Sequence, residues 1–170
     1  KPRPLAVIEA EAAAQGARLY RLGHEWSYHV GASGLTVDGP FHSYPNLHLQ
    51  LKGQFQPLNA AVAVTTLDVL RGERDLVIDA EAVRAGLSSV VFPGRMEIMQ
   101  TAPLVLLDGA HNPAKVRSLV DSFKAAYPGK KAHVLLGVLA IKDAAGVLAP
   151  LTEIAARWTL TQPDVFGKPA

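Results

Sequence analysis

The sequence predicts an α/β protein built from two modules, and three observations lead to this fold class. Residues 96–161 alternate short apolar runs with helical segments, the pattern of βαβ units in a parallel sheet. Residues 25–51 show two-residue alternation interrupted by Gly and Pro, which is typical of antiparallel strands. A Pro-Gly turn ending at Arg95 separates the two patterns, so we place the boundary there, between modules 1–95 and 96–170.

The composition is that of a globular protein and argues against several other classes of protein. The chain is 49% hydrophobic and 19% charged, which is ordinary for a globular protein, and it has no cysteine for disulfides or thiolate metal sites. Its 17 basic and 15 acidic residues are dispersed, so we expect no nucleic-acid partner. No apolar run approaches the ~20 residues of a membrane span, and we predict a cytoplasmic protein without membrane contact.

In the first module, periodicity predicts a helix over 5–15, a strand over 18–22 and the antiparallel strands of 25–51. A helix over 60–70 is apolar nearly all round, which predicts packing on several sides, and Gly72 closes it. Asn59 stands at the start of this helix. A short helix over 80–85 follows, with Asp79 as its N-cap.

In the second module, four branched apolar residues at 104–107 predict a strand that is buried on both faces. Asp108 follows at its carboxyl end. Asn112 is a good N-cap and Pro113 suits the first helical position, so we expect a helix from Pro113 to about Tyr127.

The strand and helix pattern then repeats. We predict a strand over 132–137, a helix over 144–157 and a strand over 158–161. In a parallel sheet, the strand that ends at Asp108 would lie next to the strand that ends at Gly137.

Residue chemistry points to a nucleotide, although no glycine-rich phosphate loop or dinucleotide fingerprint occurs. Ligands of open parallel sheets bind beyond the carboxyl ends of strands, near helix N-termini. An amide can contact an adenine edge, a carboxylate can accept from ribose hydroxyls, and an arginine can pair with phosphate. The candidate residues are Asn59, Arg95, Asp108, His111, Lys142 and Asp143.

Three sequence blocks carry a family resemblance. They are LKGQFQPLNAA at 51–61, FPGRME at 92–97 and LDGAHNP at 107–113, and they resemble the folylpolyglutamate synthase and dihydrofolate synthase family. These ATP-dependent ligases are related to the muramyl-peptide ligases. The resemblance implies that 1–95 is the end of an ATPase domain, with a helix, antiparallel strands and a buried helix. Residues 96–170 would be a partial Rossmann-like parallel βαβαβ domain.

The resemblance also implies an activity and a site. The family adds L-glutamate to folate or dihydropteroate through an acyl phosphate, using ATP and Mg²⁺. By motif, Asn59 would contact adenine, Arg95 the ATP phosphates or ribose, and Asp108 the ribose. His111 would lie near the glutamate or the transferring phosphate, so that His111 and Arg95 are the catalytic candidates. We expect a monomeric enzyme, with the phosphate loop and the metal ligands outside this chain.

Structural alternatives remain for three of the candidates. Asn59 can simply cap its helix, Asp108 can brace the turn, and His111 can be a half-buried turn histidine. Because the chain begins without Met and ends after a strand with no returning helix, we expect an inactive fragment of a longer ligase. A non-catalytic nucleotide-binding module and a muramyl-peptide ligase relative are the alternative functions.

Overall fold

A computed structural model describes residues 4–74, 76–139 and 143–162. By packing, the chain divides into two units. The first comprises residues up to Leu49 together with Pro57–Ser89, and the second comprises Gln50–Gln56 together with the residues from Val90 onward. The assignment of modules 1–95 and 96–170 to an ATPase and a ligase domain stays a prediction. None of the helices in the described ranges is both long and apolar enough to cross a membrane.

Five helices and seven strands are assigned within the described ranges. The helices are α1 (Pro4–Ala14), α2 (Gln56–Arg74), α3 (Ala80–Ser89), α4 (Pro113–Ala126) and α5 (Ala144–Leu151). The strands are β1 (Ser27–Gly31), β2 (Gly34–Asp38), β3 (Ser43–Leu47), β4 (Glu97–Thr101), β5 (Leu104–Leu107), β6 (Ala132–Gly137) and β7 (Ala155–Thr161). The α/β fold class is confirmed.

The first unit contains an antiparallel sheet of order β1-β2-β3, as the alternation of residues 25–51 predicts. Gly34 opens β2 with a φ of 118°, and a Cβ there would lie 2.7 Å from the carbonyl oxygen of Leu47. Glycine therefore allows the close approach of β2 and β3. The buried core of this unit consists of Trp26, Leu35, Val37, Tyr44, Leu47, Ala60, Ala61, Val64 and Val83.

Helix α2 is longer at both ends than the predicted 60–70. It begins three residues before Asn59, with Pro57 in its first turn, where a missing N–H leaves no hydrogen bond unmade. Gly72 lies inside the helix and does not close it, so that prediction is wrong. The alternative that Asn59 is the N-cap is wrong for the same reason, since Asn59 is the fourth helical residue.

A fully buried carboxylate on α2, that of Asp68, anchors the turn between β2 and β3. Its Oδ2 accepts from the main-chain N–H of Phe41 at 2.8 Å and of His42 at 3.2 Å. Its Oδ1 accepts from the hydroxyl of Tyr44 at 3.0 Å and lies 2.7 Å from Nδ1 of His42. Burial alone would raise the pKa of the Asp68 carboxyl, but these hydrogen bonds together hold it below the ordinary value.

Two other predictions for the first unit have different outcomes. The strand over 18–22 is wrong, because only an isolated bridge between Leu22 and Trp26 forms there and no neighbouring strand extends it. Asp79 does cap α3, with its Oδ1 accepting from the N–H of Ala82 at 2.6 Å. The helix then continues to Ser89, four residues beyond the predicted end.

In the second unit, β6 and β7 form a parallel pair connected through α5, which confirms one predicted βαβ unit. Strand β5 instead pairs antiparallel with β4, with Glu97 opposite Leu107. The two-residue connection Ala102–Pro103 accounts for this pairing, because parallel neighbours need a long crossover.

The predicted environment of β5 therefore needs correction. No ladder joins β5 to β6 in the described part of the chain, so their predicted adjacency in one parallel sheet is wrong. Burial on both faces is also wrong, since Val105 and Leu107 are 43% and 48% exposed. Of the residues of β5, Leu106 packs against the core of the second unit, and Val105 and Leu107, which alternate with it, point to the other face.

Helix α4 follows the prediction closely. Asn112 caps it by accepting from the N–H of Lys115 at 2.9 Å, and the helix ends one residue before Tyr127. Helix α5 is shorter than the predicted 144–157, because Pro150 lies in its last turn and β7 already begins at residue 155. The buried core here consists of Val116, Val120, Phe123, Val147, Leu151 and Ile154.

Candidate functional site

Two loops of the second unit are hydrogen-bonded to each other and form the candidate site. One is the turn Gly94–Met96, which we call the arginine turn, and the other is the segment 108–111 after β5. The N–H of Gly109 donates to the carbonyl oxygen of Gly94 at 2.9 Å. The N–H of Met96 donates to Oδ2 of Asp108 at 2.9 Å. The structure thus brings the predicted residues Arg95, Asp108 and His111 onto neighbouring loops.

Asp108 is half-buried and braces both loops. Its Oδ2 accepts from Met96, and its Oδ1 accepts from the N–H of Ala110 at 2.7 Å. The turn-bracing alternative therefore describes a contact that exists. Each carboxylate oxygen has two lone pairs, so both keep the capacity to accept a further hydrogen bond, such as one from a hydroxyl group.

Arg95 is half-buried and its side chain lies over an aromatic ring. The guanidinium carbon is 5.4 Å from the ring centroid of Phe92, a cation–π geometry. Across residues 4–74, 76–139 and 143–162, no hydrogen bond or ion pair to the guanidinium is found. Its charge and its five N–H donors are therefore available to an anion.

His111 is exposed and its ring has a defined orientation. Nδ1 lies 2.8 Å from the carbonyl oxygen of Gly109. Because a carbonyl oxygen only accepts, we assign the proton of the neutral ring to Nδ1. Nε2 of the neutral ring then carries a lone pair that can accept a hydrogen bond or a proton.

A small open cavity lies beside the arginine turn. It measures about 160 Å³, and Lys52, Phe92, Arg95 and Glu97 contribute to its lining. A second cavity of about 340 Å³ is lined by Lys52, Met96 and residues of α4. Neither cavity includes Asp108 or His111. Lys52 and Arg95 outnumber the single carboxylate of Glu97 in this lining, and the resulting net positive charge favours an anionic group there over a neutral one.

The remaining predicted residues lie elsewhere. Asn59 is exposed in the first turn of α2, in the first unit, and its contact with adenine stays a prediction. Lys142 lies outside the described residues. Asp143 is the N-cap of α5, with its Oδ1 accepting from the N–H of Gly146 at 2.9 Å.

Sequence reasoning assigned no role to Glu97 or Phe92. Glu97 Oε2 accepts from the N–H of Gly94 at 2.8 Å, which fixes the start of the arginine turn. The signal for this contact is the carboxylate three residues after Gly94, the spacing at which a side chain reaches back to a main-chain N–H. Among the described residues, no group of three or more His, Asp or Glu that could hold a metal ion occurs.

Comparisons with known proteins give a consistent family. Residues 94–170 match the family described as Mur ligase, glutamate ligase domain. The dihydrofolate synthase/folylpolyglutamate synthase of Mycobacterium tuberculosis is 33% identical over 161 residues, covering 90% of this chain and 33% of the relative. The Escherichia coli protein of the same name is 32% identical over 158 residues, covering 93% of this chain and 36% of the relative.

The fold comparison agrees with the sequence comparison. The structure of Escherichia coli FolC in complex with ADP, without folate substrate, superposes with a TM-score of 0.81 at 34% identity. The match covers 97% of this chain and 38% of that one, so the chain spans about a third of the length of its relatives. By these matches, the chain belongs to the folylpolyglutamate synthase and dihydrofolate synthase family, within the wider group of Mur ligases.

Proposed function

We propose that the parent protein, meaning the complete gene product in which this chain occurs, is an ATP-dependent ligase. It joins L-glutamate to a folate or to dihydropteroate, and it converts ATP to ADP and phosphate. Support comes from the relatives, which are named dihydrofolate synthase/folylpolyglutamate synthase, and from the ADP complex of the similar FolC structure. The observation that carries the proposal is the hydrogen-bonded pairing of the arginine turn with the segment that starts at Asp108.

The residues of this pairing fit a nucleotide. A phosphate group needs a cation with several donors, and the guanidinium of Arg95 makes no ion pair with a carboxylate in the described part of the chain. A ribose hydroxyl needs an acceptor in a fixed position, and two main-chain N–H groups fix the Asp108 carboxylate. The cavity beside Arg95 measures about 160 Å³, however, below the ~300 Å³ at which small-molecule sites usually begin. The rest of the nucleotide must therefore be bound by other parts of the parent protein.

Arg95 would bind a phosphate group of the nucleotide and stabilise its negative charge. Its half-buried position over the apolar face of Phe92 lowers the local dielectric constant, so a contact with a phosphate oxygen is stronger than in water. Charge moves on the phosphoryl group as it is transferred, and a fixed guanidinium stabilises that change without reorganising.

His111 would act at the edge of the same site. With its proton on Nδ1, the neutral ring presents Nε2 as an acceptor to solvent. Nε2 can orient the ammonium group of an incoming glutamate, or accept the proton that its amine loses on attack. Asp108 holds the main chain of this segment, so it fixes the place from which His111 projects.

ATP supplies the phosphoryl group that activates the folate carboxylate as an acyl phosphate. The described residues include no group of three or more His, Asp or Glu that could hold a metal ion, and we expect the Mg²⁺ ligands elsewhere in the parent protein. The chain alone is expected to be inactive, because it carries one part of a site that needs further contacts.

Two alternatives have a specific basis. The first is a ligase that acts on a muramyl peptide, because the matching domain family is named for Mur ligases. The second is a non-catalytic nucleotide-binding module, with which the small cavity beside Arg95 is also compatible. The parent protein should be assayed for ATP-dependent phosphate release with L-glutamate plus folate, tetrahydrofolate, dihydropteroate or a UDP-muramyl peptide. Release that requires a folate or dihydropteroate supports the proposal. Release only with the UDP-muramyl substrate, or with none of the four, contradicts it.

A further inference from the structure

The arginine turn is bonded to its surroundings through its main chain. Its three bonds are those of the Gly94 N–H with Glu97 Oε2 at 2.8 Å, the Gly94 carbonyl with the Gly109 N–H at 2.9 Å, and the Met96 N–H with Asp108 Oδ2 at 2.9 Å. Arg95 lies between the bonded residues. The direction of its side chain therefore depends on the conformation that these bonds maintain.

The backbone of the arginine turn needs such support. Gly94 has a φ of 70° and Met96 has a φ of 49°, so both residues flanking Arg95 are in the left-handed region. Glycine adopts this conformation freely, whereas a residue such as Met96 does so at a cost of about 1–2 kcal/mol. Without external hydrogen bonds, the turn would relax and Arg95 would lose its present direction.

Glu97 is well placed to hold the turn. It is the first residue of β4 and pairs with Leu107 of β5, so the hairpin fixes its main chain. Its half-buried carboxylate makes a charge-assisted hydrogen bond to Gly94, which is stronger than one between neutral groups. Among the described residues, no ion pair joins Glu97 to Arg95, so the contact of the Glu97 carboxylate is with the main chain of the turn and not with the guanidinium.

We propose that Glu97 is a positioning residue of the ligase reaction, which holds the arginine turn so that the Arg95 guanidinium points toward the phosphate groups of the nucleotide. The inference rests on the proposed function, since it concerns the phosphate contact of Arg95. It predicts that the acceptor oxygen of residue 97 matters for turnover and that its negative charge matters much less.

The test compares Glu97→Gln with Glu97→Ala in the parent protein. Glutamine keeps an oxygen at the same reach, whereas alanine leaves the Gly94 N–H without an acceptor. We expect Glu97→Ala to lower kcat about tenfold with the folate KM within about twofold, and Glu97→Gln to keep at least about a third of kcat. If the alanine variant does not fold, Glu97→Met takes its place, because it keeps the side-chain stem without a strong acceptor.

A double-mutant cycle separates positioning from general stability. In an Arg95→Ala background, Glu97→Ala should lower kcat by less than about twofold further, because its effect passes through Arg95. Gln100→Ala is the matched control, since it removes another hydrogen bond of the same strand, from Gln100 Nε2 to the Ala102 carbonyl at 2.8 Å. The control should change kcat by less than about twofold.

Several results would overturn the inference. One is an equal loss of kcat in Glu97→Gln and Glu97→Ala. Another is a full tenfold loss of kcat when Glu97→Ala is added to the Arg95→Ala background. A third is a loss of kcat in Gln100→Ala as large as that in Glu97→Ala. If the unmodified parent protein ligates no acceptor, the proposed function fails, and crystal structures of the two Glu97 variants decide the positioning role. A turn that is kept in the glutamine variant and displaced in the alanine variant supports it. A turn unchanged in both contradicts it.

Discussion

Asp108 and Met96 are joined by a hydrogen bond of 2.9 Å, in which the Met96 N–H donates to Oδ2 of the Asp108 carboxylate. The two residues are twelve positions apart in the sequence, and their hydrogen bond links the arginine turn to the segment after β5. The other carboxylate oxygen accepts from Ala110 at 2.7 Å, so a single side chain fixes both loops of the candidate site.

Removal of the Asp108 carboxylate should therefore destabilise the second unit. Asp108→Ala leaves two main-chain N–H groups without their acceptor, and we expect a loss of about 1–3 kcal/mol in the free energy of unfolding. Asp121→Ala, which removes an exposed carboxylate from α4, should change stability by less than about 0.5 kcal/mol. Urea unfolding of both variants measures the difference, and equal stability of the two would refute the bracing role.

The Asp68 carboxylate should make stability depend on pH. Because the pKa of Asp68 lies below its ordinary value in the folded state, its contribution is fully present above the unfolded pKa of about 3.8. It is lost as the pH falls through the lower, folded-state pKa. Asp68→Asn should be clearly less stable than the unmodified protein at pH 7, and the difference should shrink at pH 3 and below. A difference that stays constant from pH 7 to pH 2.5 would count against this account.

Gly146 should resist substitution, unlike a glycine in open space. A Cβ at Gly146 would lie 2.3 Å from Asp143 Oδ2 and 2.6 Å from Cγ of Pro113, so alanine forces the N-termini of α4 and α5 apart. We expect Gly146→Ala to destabilise by about 1–3 kcal/mol. Gly86 in α3 has no atom within 4 Å of its Cβ position, so Gly86→Ala should stabilise by about 0.5–1 kcal/mol. Thermal unfolding should show a lower melting temperature for Gly146→Ala and a higher one for Gly86→Ala. A shift in the same direction for both variants would be inconsistent with this packing.

The 170-residue chain by itself should bind ATP weakly. Its cavity beside Arg95 encloses about 160 Å³, which cannot surround a nucleotide, and no glycine-rich phosphate loop is present in its sequence. We expect a dissociation constant above about 1 mM in calorimetry, a binding free energy weaker than about 4 kcal/mol. Micromolar ATP binding by this chain would show that the nucleotide site is complete within it.

Much of the second unit could be predicted from local sequence. The strand over 132–137 has its predicted bounds, and α4 begins where the Asn112 cap and Pro113 place it. Both predictions rest on contacts within a few residues, which a sequence displays directly. The proximity of Arg95 and Asp108 follows from the hairpin, since Arg95 lies two residues before β4 and Asp108 directly follows β5, but this antiparallel pairing was not predicted from the sequence.

What sequence reasoning missed depends on contacts that the local pattern does not show. Four apolar residues at 104–107 resemble a doubly buried parallel strand, and only the pairing with β4 shows that one face stays open. Asn59 was predicted at the start of its helix because polar residues precede it in the sequence, whereas α2 begins at Gln56. The contact of Glu97 with Gly94 has a local signal in its three-residue spacing, but it also needs left-handed conformations in the turn, and the residue type of Met96 does not predict one.

If Arg95 contacts the phosphate groups during ligation, as we propose, the kinetics of Arg95→Ala in the parent protein test this contact most directly. A contact that strengthens as charge moves in the transition state affects turnover more than substrate binding. We expect kcat to fall about 100-fold or more, with the folate KM changed by less than about threefold. Arg157→Ala, which removes an exposed arginine from β7, should leave both constants within about twofold. A raised folate KM with unchanged kcat in Arg95→Ala would contradict the account.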